Sequence, residues 1–309
     1  MGNEIKDPGF GTGFKYKTKR IVNPDGSFNI IRKGAFIKWR DAYKYLLDKS
    51  WLNFFGVLFI FYILLNLVFT VVYCICGFQN IIGIDPNKGS EFMQAYYFSV
   101  QTFTTVGYGV MSPSGMATQI VSSIEAFVGF LSFSLATGLL YGRFSKPNAK
   151  ILFGKSALVT PYKKGVDSLQ VKIVNARDNV LLDIHAKIIL VFDQSNESGG
   201  IQKKYFQLPL EISSLSLLPL SWTIVHPINE DSPIFNLSQK ELIKMNPEII
   251  VLIRGFDEVF SQNVNSKKSY VTDEWVWDKK FAKIFSSSID GNIVLDLSKI
   301  DDLENLKSN

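Results

Sequence analysis

Thr105-Val106-Gly107-Tyr108-Gly109 lies between two long apolar runs in a chain of 309 residues, and the fold follows from how these five residues are read. Gly107 and Gly109 lack a Cβ and reach positive φ at little steric cost, so successive carbonyls can aim at one axis, which an ordinary strand forbids. A stack of inward-pointing carbonyl oxygens replaces the hydration shell of a potassium ion. The hydroxyl of Thr105 would add one more oxygen ring at the inner end. Potassium is then expected at Thr105, Val106, Gly107 and Tyr108, with the side chains of Val106 and Tyr108 packed outward to hold the diameter. One copy of a five-residue loop cannot surround an ion, so four chains around an axis are expected.

The flanks fit a pore. Trp51 to Gly77 carries no charged residue and exceeds the ~20 apolar residues needed to cross a bilayer. Trp51 and Tyr73 stand near its ends, where interfacial aromatics belong. After a turn-rich loop, Glu91 to Thr104 is too short to span and dense in aromatics. It reads as a re-entrant helix whose C-terminal partial negative charge faces the ion. Irregular backbone survives at membrane depth only where protein encloses it or it lines water. Met116 to Tyr141 is the second span, interrupted only by Glu125. Glu125, Gly129, Phe133, Thr137 and Tyr141 recur every fourth residue and are read as a pore-lining face. For Phe133 and Tyr141, packing between neighbouring helices is the other reading. An ionisable residue inside a span is a functional candidate. Glu125 is expected near the back of the filter, bonded to Thr or Gln of the re-entrant helix.

Upstream, residues 1–34 are rich in Gly, Lys and turn residues, with Asn23-Pro24-Asp25-Gly26 a turn signal. They form either a tail or an arm that adds a strand through Phe28-Asn29-Ile30-Ile31. In residues 35–48 the apolar positions Phe36, Trp39, Tyr43, Leu46 and Leu47 alternate at helical spacing with Lys38, Arg40, Lys44 and Asp48. That pattern suits an amphipathic helix in the headgroup layer, or a surface helix of a soluble domain. Lys and Arg crowd the first 50 residues, Lys49 included, and return at Arg143, Lys146 and Lys150. The loop between the spans holds only Lys88, so both termini are expected in the cytoplasm. The pore unit covers 49–146.

Beyond Pro147 the period changes to two. Leu169, Val171 and Ile173 alternate with polar residues, as do Leu182, Ile184, Ala186, Ile188 and Leu190. Further strands are expected at Lys204–Leu208, Ser221–Val225, Glu248–Ile253, Ser269–Trp277 and Ile293–Leu297. Many short strands separated by turns point to an all-β sandwich over 147–309. Ser238 with Glu241 forms a capping box that opens one short helix, and a second begins at Ser298. His226 reads as a hydrogen-bonded structural histidine. Cys74 and Cys76 are too close for an unstrained bridge and are expected as free thiols. With only two histidines, no cluster has metal-ligand spacing, and no Gly-rich phosphate loop suggests a nucleotide fold. The net charge of +5 is modest, and nucleic acid is not implied. No cofactor is expected beyond potassium as the permeant ion.

These residues together resemble the prokaryotic inward-rectifier potassium channels, from about Ile21 to Leu297. The carriers are the Asn23-to-Gly34 segment, Ser50-Trp51, Phe98-Ser-Val-Gln101-Thr leading into Thr105 to Gly109, and Arg143-Phe-Ser-Lys-Pro147. Downstream they are Ser221-Trp-Thr-Ile-Val-His226-Pro-Ile228 and Ser232-Pro233-Ile234. The pentapeptide alone is common to potassium channel filters and would not single out this family. The resemblance implies a homotetramer in a bacterial inner membrane, passive potassium conduction, and immunoglobulin-like cytoplasmic domains that extend the pore. It matches Phe133 and Tyr141 to inner-helix constrictions and Gly129 to a hinge. Arg143, Lys146, Lys150 and Lys49 are the expected contacts for anionic lipid, and polyamines or Mg2+ are expected blockers.

Departures from the eukaryotic members bear on regulation. Phe133 stands where strong rectifiers carry an acid, so steep rectification is not expected. Ser50 and Leu52 flank Trp51 where arginines would be expected, and Asn148-Ala149 replace lysines, leaving the phosphoinositide pocket incomplete. A poorly selective cation channel and a membrane-anchored β-domain that only binds a ligand are the competing functions. No nucleophile with a nearby base, and no paired acids, suggest an enzyme.

Overall fold

A computed structural model describes residues 3–11, 13–14, 20–31, 33, 39–145, 150–195 and 201–306. The chain divides into two units, Gly34–Lys146 and Met1–Lys33 with Pro147–Asn309. The expected start of the interfacial helix, Phe36 and Lys38 included, lies outside the described residues, as do Lys146, Asn148 and Ala149.

In the first unit, α1 (Trp39–Asp48) is followed by α2 (Trp51–Cys76), α3 (Glu91–Phe103) and α4 (Met116–Phe144). Ser50 stops α1 and starts α2, its hydroxyl accepting from the Asn53 N–H at 3.4 Å. Gly77, at φ 88°, ends α2 where a side chain would be strained. α2 and α4 are long and apolar enough to cross a membrane, yet only 11% of either apolar window is buried within the chain. The residues α2 does bury are Phe54, Asn66, Thr70 and Tyr73, and Asn66 and Tyr73 contact the short helix α3. Ile81–Ile82 pairs with Ser112–Pro113 and closes the loops on either side of α3. Cys74 and Cys76 are free thiols.

The second unit is a sandwich of two sheets. In one, the strand order is Asn3–Ile5, Ile201–Leu208, Leu181–Ser195, Glu248–Asp257, Gln262–Val271, with Ser214–Leu218 pairing the start of Leu181–Ser195. In the other it is Ser221–Pro227, Asp167–Asn175, Ala157–Pro161, Trp275–Trp277, the last pair parallel. Inward-facing Ile184, Ile188 and Leu190 of the first sheet meet Leu169, Val171, Ile173 and Ile224 of the second. α5 (Gln239–Lys244) opens on the capping box of Ser238 and Glu241. From Ser298 only a single 3-10 turn forms, Leu297–Lys299.

Two further sequence expectations need correction. Ser269–Trp277 is not one strand, because the turn at Thr272–Glu274 breaks it and sends its two ends to different sheets. The N-terminal arm does add a strand, but through Asn3–Ile5, which pairs with Tyr205–Gln207. Phe28 makes only an isolated bridge to Val22, because the turn at Asn23–Gly26 folds that segment back on itself. Ile21 and Val22 then pack on Ile189, Val191, Tyr205 and Ile250, covering part of the outer face of the first sheet. Their N–H groups donate to the buried Glu248 carboxylate at 2.8–3.3 Å, and burial raises the pKa of that group.

Candidate pore site

The filter loop is built from the end of α3. In its last turn the hydroxyls of Thr102 and Thr104 donate back to the carbonyls of Phe98 and Val100, at 2.9 and 2.7 Å. The chain then reverses. The Thr105 N–H donates to Thr102 O at 3.0 Å, and the Val106 and Gly107 N–H groups both donate to Gln101 O, at 3.0 and 3.3 Å. Thr105, Gly107 and Gly109 have φ of 57°, 52° and 81°, while Val106 and Tyr108 do not enter the positive region. Alternating hands of this kind turn successive N–H groups to one side, which leaves the carbonyls for the other. A Cβ on Gly107 or Gly109 would meet nothing within 4 Å, so backbone conformation rather than crowding demands glycine there. Thr105 is β-branched and occupies the left-handed region, which costs about 1–3 kcal/mol and is held by the loop's bonds to α3.

Residues 104–110 are exposed in the single chain. Val106 is 52% and Tyr108 75% exposed, so the side chains expected to brace the filter find no cover within one chain.

Behind the loop sits a buried polar network. Glu125 accepts from the Tyr73 hydroxyl at 2.5 Å and from the Ser99 hydroxyl, and Ser99 Oγ lies 3.1 Å from Asn66 O and Oδ1. This corrects the expected pore-lining place of Glu125 and Gly129. Both are buried against α3, and the partners of Glu125 are Tyr73 and Ser99 rather than Thr or Gln. Gly129 lets the two helices touch, since a Cβ there would run into the Phe103 carbonyl. The reason is helical arithmetic: each four-residue step drifts about 40°, so Tyr141 stands roughly 160° round the helix from Glu125. Phe133 and Tyr141, each 74% exposed, and the exposed Thr137 lie on a different face from Glu125 and Gly129.

At the other end of α4, the Arg143 guanidinium donates to the carbonyls of Leu46, at 3.1 Å, and Lys49. It also stacks 4.3 Å over Trp51 and 5.1 Å from Phe54. A cation at the carbonyl end of α1 suits the helix dipole. Gly142 receives the Tyr43 hydroxyl, which a Cβ would displace. Lys49 Nζ rests 4.3 Å over its neighbour Tyr45, and Lys150 belongs to the other unit. Sequence reasoning missed Tyr73, Ser99 and Asn66. The available signal was that Asn66 and Thr70, polar residues one turn apart in an apolar span, need partners.

In the sandwich, His226 is buried between Pro209 O at 2.7 Å, to which Nδ1–H donates, and the Ser232 hydroxyl at 2.8 Å, from which Nε2 accepts. Burial lowers its pKa.

Residues 151–309 match the inward rectifier potassium channel C-terminal domain, and residues 57–146 match an ion channel family. The chain is 32% identical over 286 residues to the inward rectifier potassium channel Kirbac3.1 of Paramagnetospirillum magnetotacticum, covering 92% of this chain and 95% of that one. It is 26% identical to the ATP-sensitive inward rectifier potassium channel 12 of Gallus gallus, over 89% of this chain and 70% of that one. Inward rectifier potassium channel 18 of Homo sapiens is 23% identical, with the same two coverages of 89% and 70%.

Proposed function

The chain belongs to the inward rectifier potassium channel family, and from that premise we propose that four copies form a pore whose potassium filter is Thr105, Val106, Gly107, Tyr108 and Gly109. As a member of a channel family it is not an enzyme. The observation that carries the filter reading is the alternation of positive φ at Thr105, Gly107 and Gly109, with the N–H groups of Thr105, Val106 and Gly107 tied back to α3. Fourfold symmetry supplies both the missing carbonyls and the missing cover for Val106 and Tyr108. The test is flux into liposomes holding the purified protein. Potassium should enter far faster than sodium and be blocked by barium, and equal rates for the two ions would overturn the reading.

Phe133, Thr137 and Tyr141 line the cavity below the filter in this reading, with Glu125 and Gly129 supporting it from behind. Both termini lie in the cytoplasm. Aromatic rings at Phe133 attract polyamines or Mg2+ only weakly through their faces, whereas carboxylates in a confined cavity would attract them strongly. Intrinsic rectification is therefore weak, and Phe133→Asp should make spermine block steeply voltage-dependent. Strong spermine block in the parent that disappears with Glu125→Gln would contradict this. Anionic lipid acts at the base of the pore through Lys49, Lys146, Lys150 and Arg143, with Arg143 acting by holding α1 to α4. Equal flux from Arg143→Gln and the parent across a titration of anionic lipid would remove that site.

A further inference from the structure

The outer face of the first sheet is covered in two different ways. Where it is apolar, at Ile189, Val191 and Ile250, Ile21 and Val22 of the arm lie on it. Where it is basic, no segment among the described residues covers it, and a cavity of about 1220 Å³ remains between the sheet and the turn at residues 24–26.

The strand register concentrates positive charge there. Lys187 and Lys267 both pair with Leu252, from opposite sides, and His185 and Asn265 both pair with Arg254. Arg254 is thus the diagonal neighbour of both lysines, at a spacing of about 7–8 Å. Like charges on one sheet face repel. No ion pair to Arg254, Lys187 or Lys267 occurs among the described residues. The two acids in the cavity have partners other than these three cations. Asp183 faces His185 at 3.1 Å, and Asp25 accepts from the N–H and hydroxyl of Ser27 at 2.8 and 2.7 Å. Lys267 is held in place, its ammonium 4.0 Å over the Phe28 ring and its carbonyl so close to Gly26 that a Cβ there would stand 2.9 Å away.

We propose that this cavity binds a soluble polyphosphate anion, with Arg254 at its centre and Lys187 and Lys267 on either side. Three cations at such spacing suit a ligand carrying two or three linked phosphates, and guanidinium offers the paired N–H geometry phosphate oxygens take up. Because residues 24–28 form one wall, the bound anion also ties the arm to the sheet. The site is separate from the filter and does not rest on the channel reading.

Titration calorimetry of the full chain in uncharged detergent, with inorganic tripolyphosphate, tests it. One saturable event per chain is expected, weakened at least tenfold by Arg254→Gln and by Lys187→Gln, and retained within about threefold by Arg254→Lys. Lys240→Gln, an exposed lysine on α5, should bind as the parent does. Hydrogen exchange at residues 22–29 should slow when tripolyphosphate is added. Circular dichroism and gel filtration check the fold of each variant, and if Arg254→Gln misfolds, Lys187→Gln decides. Absence of saturable binding, equal loss with Lys240→Gln, or binding to phosphate on anionic vesicles with none to free tripolyphosphate would each overturn the proposal.

Discussion

The sandwich finishes its own core, and the membrane unit does not. In the sandwich, Leu190, Ile188, Leu169 and Val171 have no exposed surface, and the arm adds Val22 to the other face of the same sheet. In the membrane unit, Phe127, Phe130, Phe133, Leu135 and Tyr141 of α4 are all more than 60% exposed, and so is Tyr108 of the filter. The same chain applies two rules because it meets two solvents. A water-facing domain must bury its apolar faces within itself or lose the hydrophobic stabilisation. A membrane unit leaves them to lipid and to its own copies, and buries instead the polar groups that lipid cannot satisfy. Asn66, Thr70, Ser99 and Glu125 are buried and hydrogen-bonded for that reason.

The largest effect expected from breaking this contrast is at the filter. Gly107→Ala leaves both units packed, since the new Cβ meets nothing, but it opposes a φ of 52°. Potassium selectivity over sodium should fall by orders of magnitude in liposome flux, while denaturant stability falls by only about 1–2 kcal/mol. In the sandwich the order reverses. Leu190→Ala should cost about 2–5 kcal/mol in urea unfolding, with the selectivity of the channels that remain folded unchanged.

Gly129→Ala sharpens the comparison within the membrane unit. Overpacking α4 against the Phe103 carbonyl should destabilise that unit by about 1–3 kcal/mol and lower the yield of assembled channel. Gly138→Ala, where a Cβ meets nothing, should be silent. Equal tolerance at both positions would favour a hinge role for Gly129 over the packing role argued here.

The smallest effect is a pH dependence confined to the sandwich. His226 is neutral in the fold and its pKa is lowered by burial, so below the unfolded value of 6.5 the unfolded state takes up more protons. The contribution of His226 to stability should therefore be constant above pH 6.5 and decline beneath it, by at most about 1.4 kcal/mol per pH unit. It should level off below the folded pKa. Buried Glu248, whose pKa is raised, titrates with the opposite sign: its stabilising contribution declines as pH rises from 4.5. The difference in melting temperature between the parent and His226→Gln across pH 7.5 to 5.5 isolates the histidine.

How much of this was legible follows the range of the interactions. The positive-φ loop at Thr105–Gly109, the two long apolar helices and the capping box at Ser238 depend on neighbours in sequence, and they stand where the sequence puts them. The break at Thr272–Glu274 was hidden because Ser269–Trp277 carries β-favouring side chains on both sides of it. The strand at Gln262–Val271 was hidden by Asn263, Asn265 and Lys267, whose polarity suits a face that packs no core, and by Gln262 and Lys268, polar residues on the same side as the core residues Val264 and Tyr270. The partners of Glu125 lie 52 and 26 residues away, so the hydroxyls of Tyr73 and Ser99 declare themselves only once the helices pack. The four-residue stripe on α4 misled because 3.6 residues, not four, complete a turn.

The central claim is that one chain carries a quarter of a filter and that copies of itself complete it. Native mass measurement of the purified protein in the detergent from which it reconstitutes potassium flux tests that most directly. The account predicts four chains in the conducting particle, with Gly107→Ala assembling to the same mass while losing selectivity. A conducting, potassium-selective particle of one or two chains would contradict it.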